Sequence, residues 1–120
     1  MNLADAHAAE LAEIRAGLAH LSEVVVTDDS VEGVSALSSN TLVVIIPAPA
    51  VEFTTRGMWQ MTWEVWALAP TTDPGQTTRQ LSPVLEAFAN LGAEQARPDT
   101  FETSGSVFSG YIITTTSTYS

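Results

Sequence analysis

Residues 59–68 read Trp-Gln-Met-Thr-Trp-Glu-Val-Trp-Ala-Leu, and this stretch contains every tryptophan of the chain. Apolar and polar side chains alternate from Trp59 to Glu64, which is the pattern of a half-buried β-strand. At Trp66 and Leu68 the second face becomes apolar as well. Tryptophan and valine also pack well on a pleated sheet. The stretch therefore predicts a central strand that contributes a large share of the core, with further structure covering Trp66.

Length and cysteine content favour one domain that folds without cross-links. A chain of 120 residues suits a single domain covering residues 1–120. At this size roughly two thirds of the unfolded surface is buried on folding, which is enough for a core. There is no cysteine, so disulfides and thiolate metal sites are excluded.

The charge balance is strongly acidic. Four basic residues oppose 14 acidic ones, for a formal net charge of −10. Nucleic acids and anionic membranes are bound through Lys and Arg, which this chain largely lacks. No apolar run is long enough to span a bilayer, and the N-terminus lacks the pattern of a signal peptide. We therefore expect a soluble protein that folds in the cytoplasm where it is made.

Apolar periodicity and turn residues divide the chain into seven elements. They are a helix over 2–21, strands over 23–27, 41–46 and 59–68, a second helix over 77–91, and strands over 100–103 and 111–118. This order, α-β-β-β-α-β-β, predicts an α+β fold with an antiparallel or mixed β-sheet covered by two helices. Asn2 is the expected cap of the first helix.

The connecting segments carry weaker signals. Residues 30–40 are small and polar and are predicted to form at most one helical turn. Residues 49–57 form either a loop or an extended hairpin tip. The run from Asp73 to Gly75 suits a type II turn, because Pro74 sets φ and glycine accepts a positive φ. Pro83 is expected to kink the second helix, and the alternative is a shorter helix that Ser82 caps and that begins at Pro83.

The last strand is rich in threonine on one face, at Thr114, Thr116 and Thr118. Threonine gives a strand high β propensity with little hydrophobicity. We therefore expect a partly exposed edge strand that is open to pairing with another chain.

Candidate chemistry is sparse. His7 and His20 lie on different faces of the first helix, and His7 with Glu10 would still lack a third metal ligand. Glu64 on the tryptophan strand could be a general acid, but a solvated or interfacial charge is the simpler interpretation. Nucleophile-elbow and phosphate-loop sequences are absent. We therefore expect neither an enzyme nor a cofactor-binding protein.

The layout as a whole resembles a known family. The segments that carry the resemblance are an Ala/Leu-rich N-terminal helix, Ile45-Ile46-Pro47, Trp66-Ala67-Leu68-Ala69-Pro70, Gln80-Leu81-Ser82-Pro83-Val84-Leu85, Ala96-Arg97-Pro98 and Gly110-Tyr111-Ile112-Ile113-Thr114. This layout is similar to that of tail terminator proteins of long-tailed bacteriophages, of the kind found in phages of actinobacteria.

The resemblance implies a structural virion protein of the tail and neck. Such proteins form a ring, usually a hexamer, that caps the tail tube, ends its polymerisation and offers a docking surface to the head–tail connector. DNA passes through the lumen, and a negative lumen would let it slide without specific binding. Candidate contacts with other subunits or with the tail tube protein are Glu52, Phe53, Arg56, Arg97, Thr114, Thr116 and Thr118. Arg56 and Arg97 are candidate cross-subunit salt-bridge donors, although each could equally be a surface charge of small energetic effect.

Three other interpretations remain open at this point. A different head–tail connector or neck completion protein would share the size, the acidity and the lack of chemistry. A dimeric α+β domain could bind a small ligand in a pocket beneath Trp63 and Trp66. An enzyme would require a carboxylate such as Glu64 inside a cleft.

Overall fold

The computed structural model describes residues 2–37, 41–103 and 105–119 as three helices and six strands. The helices are α1 (Leu3–Leu18), α2 (Ser30–Ala36) and α3 (Pro74–Asn90). The strands are β1 (Val24–Thr27), β2 (Leu42–Ile45), β3 (Ala50–Thr55), β4 (Met58–Ala69), β5 (Gln95–Thr103) and β6 (Ser106–Tyr119). The predicted α+β class with a mixed sheet is confirmed.

All six strands belong to one sheet in the order β1-β2-β4-β6-β5, with β3 also paired to β4. β1 runs parallel to β2, and every other pairing is antiparallel. Because β6 accompanies β4 over its whole length, β3 lies on the same side of β4 as β2. The tryptophan strand, β4, is therefore interior, as predicted.

The main core lies between the sheet and two helices, α1 and α3. Trp63 is fully buried there, together with Met61 and Val65 from the same face of β4. From the helices, Ile14 and Phe88 pack into the same cluster. Alternation along β4 thus places its odd-numbered side chains against the helices.

The opposite face of the sheet is covered over only part of its area, by α2. Gly33 is buried in this contact, and a Cβ there would lie 2.8 Å from Cγ1 of Ile45. Only a glycine allows α2 to approach β2 this closely. A second apolar cluster forms beneath α2, with Val43 and Leu68 buried and Trp66 packed against them.

Several expectations about local structure were wrong. Residues 30–36 form the seven-residue helix α2 rather than at most one turn, because Asp29 caps it by accepting hydrogen bonds from the amides of Val31 and Glu32. Asp73 caps α3, with Pro74 in its first turn, so the type II turn predicted there is absent.

The edge expected at the last strand is present over its threonine-rich end. β6 lies between β4 and β5 up to Thr114, and beyond that residue its described ladder partner is β4 alone, so Thr116 and Thr118 do lie on an edge. β5 is also an edge strand, and it begins at Gln95 rather than at residue 100. Pro98 is tolerated in β5 because an edge strand has one side without ladder partners.

The N-terminal helix begins as predicted, with the Asn2 side chain accepting a hydrogen bond from the amide of Asp5 at 2.8 Å. Its buried face consists of Ala6, Glu10, Ile14 and Leu18. Leu3 is 39% exposed, whereas Glu10 is 7% exposed. The described residues contain no helix with the length and apolar character needed to cross a membrane.

Candidate assembly surface

A β-hairpin projects from the body of the protein and carries three of the predicted contact residues. We call residues 50–60, the β3–β4 hairpin, the arm. Every residue from Glu52 to Met58 is exposed, whereas β4 is mostly buried from Met61 onward. The arm is thus a hairpin tip and not a loop, which selects one of the two alternatives left by the sequence.

The arm displays one large aromatic side chain. Phe53 is 74% exposed and meets Trp59 edge-on, with ring centroids 5.8 Å apart. The two residues are cross-strand partners in the β3–β4 ladder. An edge-to-face ring pair of this kind contributes about 0.5–1.5 kcal/mol beyond its buried area. Phe53 is therefore held in place while most of its surface faces solvent.

The other predicted contact residues share a second surface, which we call the open face. It is the part of the α2-bearing side of the sheet that α2 leaves uncovered. Its cross-strand rows are Gln95–Thr114–Glu64, Arg97–Ile112–Trp66, Thr116–Thr62 and Thr118–Gln60. Paired residues of a sheet project from the same face. The ladder therefore places Arg97 and the three threonines on one polar surface, while Phe53 projects from the opposite, helix-bearing side.

Arg97 has carboxylate neighbours within its own chain. Its guanidinium lies 3.9 Å from the Glu64 carboxylate and 3.7 Å from that of Asp99, and about half of each side chain is exposed. Exposed ion pairs of this length contribute less than about 1 kcal/mol. Glu64 is accordingly a partly solvated charge. Arg97 already forms ion pairs within its own chain, without a neighbouring subunit. Arg56, at the tip of the arm, forms no ion pair within the described residues.

A groove of about 370 Å³ lies between α2 and the C-terminal half of β5. We call it the α2 groove. Trp66 and Phe101 contribute aromatic rings to it, with centroids 5.1 Å apart, and Val31 stands beside it with 74% of its surface exposed. Glu102 is its acidic lining residue. The groove therefore presents apolar surface with a carboxylate at one side.

A larger depression of about 450 Å³ lies between the start of α3 and β5. It is lined mainly by Pro and Thr side chains, with Asp99 and Tyr111 as its titratable residues. The small-ligand interpretation expected a pocket beneath Trp63 and Trp66. Trp63 is completely buried in the core, whereas Trp66 lines the α2 groove.

A buried polar chain links α1 to the sheet. The indole N–H of Trp63 donates to Ser117 Oγ at 2.8 Å, and the Ser117 hydroxyl donates to the Glu10 carboxylate at 3.3 Å. Burial raises the pKa of Glu10 above its ordinary value of 4.5, the neighbouring Glu13 carboxylate raises it further, and the bond from Ser117 lowers it. His7 donates through Nε2 to the carbonyl oxygen of Ile46 at 3.1 Å.

These hydrogen bonds connect α1 to the sheet and form no metal site. His7 and Glu10 are each engaged with a different partner, and no group of three or more His, Cys, Asp or Glu side chains suited to a metal ion occurs within residues 2–37, 41–103 and 105–119. All of the acidic side chains except Glu10 are exposed. The negative charge is thus spread over the surface of the molecule.

Two parts of this arrangement escaped the sequence interpretation. The α2 groove depends on α2, whose signal was Asp29 followed by Val31 and Val34 at helical spacing. The burial of Glu10 had no sequence signal, because a glutamate beside an apolar helical stripe normally faces solvent.

Comparison with known proteins gives no relative. No protein-family model matches the chain, and a search of curated proteins finds no significantly similar sequence.

Proposed function

We propose that this protein is a ring-forming structural subunit that caps the tail tube of a long-tailed bacteriophage and presents a docking surface to the head–tail connector. The observation that carries the proposal is the arm. An exposed aromatic side chain on a rigid hairpin, beyond the part of the sheet that the helices cover, is suited to contact with another protein.

Two further features support an assembly role. The open face offers a broad polar β surface on strands whose other face forms the core. The exposed carboxylates give the molecule the net charge of −10, which repels DNA and so suits a lumen through which DNA moves without binding. The layout of segments that resembles tail terminators is the basis for choosing the tube end as the site of assembly.

The test is co-assembly with the tail tube protein of the same virus. Native mass spectrometry of the protein alone and with tubes measures the ring number, and negative-stain electron microscopy shows where the ring sits. We expect one ring at one end of each tube and tubes that stop lengthening once capped. A protein that stays monomeric and leaves tube length unchanged at every ratio would refute the proposal.

The same experiment distinguishes the neighbouring interpretation. A head-side connector or completion protein would also form a ring, but it would leave the length of naked tubes uncontrolled. It would instead associate with the portal end of filled heads. A closed dimer with no affinity for tubes or heads would favour the small-ligand class.

A further inference from the structure

The arm has the features of a projecting contact element. The ring pair with Trp59 and the β3–β4 ladder fix Phe53 in position, yet 74% of its surface remains exposed. Met58, on the same hairpin, is 39% exposed. Large aromatic side chains fixed in this way are typical anchors of protein interfaces, because little side-chain entropy is lost on binding.

The α2 groove has the features of a matching receptor. Its volume of about 370 Å³ exceeds that of apolar cavities of ~150 Å³ that hold a benzene molecule. Its apolar wall includes Trp66, Phe101 and the exposed Val31. A phenyl ring that enters the groove would contact aromatic and aliphatic carbon atoms. It would also shield Val31, the largest exposed aliphatic side chain of α2, from water.

The charges of the two surfaces are complementary. Two copies of a chain with net charge −10 repel each other over most approaches. The arm tip from Phe53 to Met58 contains a single charge, the positive Arg56, which has no ion-pair partner in the described part of its own chain. The α2 groove carries Glu102, and Glu32 is exposed on α2. Glu52, the other charge of the arm, lies on the face opposite Phe53, so an approach led by Phe53 and Arg56 brings opposite charges together.

We propose that the arm of one copy docks in the α2 groove of a second copy, with Phe53 inserted beside Trp66 and Phe101 and with Arg56 facing Glu102. This inference rests on the proposed function, since it specifies the subunit contact of the ring. The arm and the groove of one copy lie apart: Met58 and Trp66 are eight residues apart on β4, or about 26 Å at the rise of a strand. Phe53 also projects from the face opposite the groove, so the groove that receives it belongs to another copy.

The contact joins two different surfaces, so it can be repeated from one copy to the next. Such a head-to-tail contact gives a ring when the rotation between subunits closes. After a first contact, the copy that gave its arm still has an empty groove, and the copy that gave its groove still has a free arm. A closed ring uses every arm and every groove once.

The test is complementation between two single-surface variants. Phe53→Asp removes the arm contact and Val31→Asp blocks the groove. Both positions are exposed, so neither change opens a cavity in the core, and the lost ring pair with Trp59 costs only about 0.5–1.5 kcal/mol. Matched controls place the same charge at Thr54, the exposed neighbour of Phe53 in the arm, and at Ser22, an exposed residue of the turn that precedes β1. Circular dichroism verifies folding of all four proteins.

We expect each surface variant alone to lose ring assembly, with at least a tenfold increase in the dissociation constant, while Thr54→Asp and Ser22→Asp assemble as the wild type does. Mixed together, the two surface variants retain one intact arm and one intact groove, and native mass spectrometry should find a 1:1 heterodimer and nothing larger. In addition, Arg56→Glu should weaken assembly and Glu102→Arg should restore it in the double variant.

Three outcomes would overturn the inference, and they are distinguishable. Surface variants that still form rings and cap tubes would refute the arm contact and leave the proposed function intact. Variants that form rings but no longer cap tubes would assign the arm or the groove to the tube protein. A wild-type protein that forms no oligomer, alone or on tubes, would refute both proposals.

Discussion

Replacement of Ser117 by alanine tests the buried polar chain between α1 and the sheet. The Ser117 hydroxyl accepts from the Trp63 indole N–H at 2.8 Å and donates to Glu10 at 3.3 Å. Alanine at this position leaves the N–H of a fully buried tryptophan without its acceptor. It also removes from Glu10 the one hydrogen bond that lowers its pKa.

The expected magnitude follows from these two losses. An orphaned buried donor costs about 1–3 kcal/mol, and a hydrogen bond to a charged group contributes about 1.5–3 kcal/mol. The second figure applies at its lower end, because the Ser117–Glu10 contact is long. We therefore expect Ser117→Ala to lower the free energy of unfolding by about 2–4 kcal/mol, a large part of the ~5–15 kcal/mol of a typical domain.

Urea unfolding, followed by tryptophan fluorescence and far-ultraviolet circular dichroism, measures this change. Thr116→Ala is the matched control, since it removes a hydroxyl from the adjacent residue on the open face, and it should cost less than about 1 kcal/mol. In a Trp63→Phe background the indole N–H is gone, so Ser117→Ala should cost about 1–2 kcal/mol less than in the wild type. Additive changes, or a Ser117→Ala cost no larger than that of Thr116→Ala, would refute the linkage.

Three further predictions concern charge and packing. The pKa of Glu10 is raised in the folded state, so its ionised form destabilises the fold at neutral pH. Glu10→Gln should therefore be more stable than the wild type at pH 7, and the gain should vanish once the pH falls below 4.5. A difference in urea midpoints that does not change with pH would contradict this. Gly110→Ala places a Cβ against the carbonyl oxygen of Ala67 and should lower the free energy of unfolding by at least about 1–3 kcal/mol. Gly75→Ala, the control, meets only ordinary contacts and should change the melting temperature little. Equal effects of the two changes would show that β6 adjusts freely. Arg97→Ala removes two long, half-exposed ion pairs and should cost less than about 1 kcal/mol, a value that thermal unfolding at low and high salt measures.

Periodicity predicted those elements whose burial follows one simple pattern. β4 was placed in the interior of the sheet because its alternation ends in residues that are apolar on both faces, and α1 was placed by its regular spacing and the Asn2 cap. The threonine strand was assigned to an edge because low hydrophobicity was read as exposure. In the structure β6 is hydrogen-bonded on both sides only up to Thr114, so Thr116 and Thr118 do lie on an edge, and these three threonines face a surface that no helix covers. Strand position and face exposure are separate properties that composition does not distinguish.

The structure shows where the predicted contact residues lie, and their role in contacts stays a prediction. The arm carries Glu52, Phe53 and Arg56 together. They are exposed because residues at a hairpin tip have few neighbours of their own chain. Arg97 was a candidate donor to a neighbouring subunit or a plain surface charge, and the structure brings it beside Glu64 of its own chain. Such a pairing depends on register between strands far apart in the sequence, which single-sequence patterns do not contain.

The arm and the body share one unbroken strand. β4, with 12 residues, runs from the core into the arm, and the end of β6 pairs with its residues Trp59 and Gln60. The base of the arm is therefore held by the same hydrogen-bonded ladder as the central sheet. Its shape is set when the chain folds, so association does not have to order a flexible segment, and the conformational entropy lost at that step is small. Amide hydrogen exchange along the shared ladder would accordingly be slow in the isolated subunit.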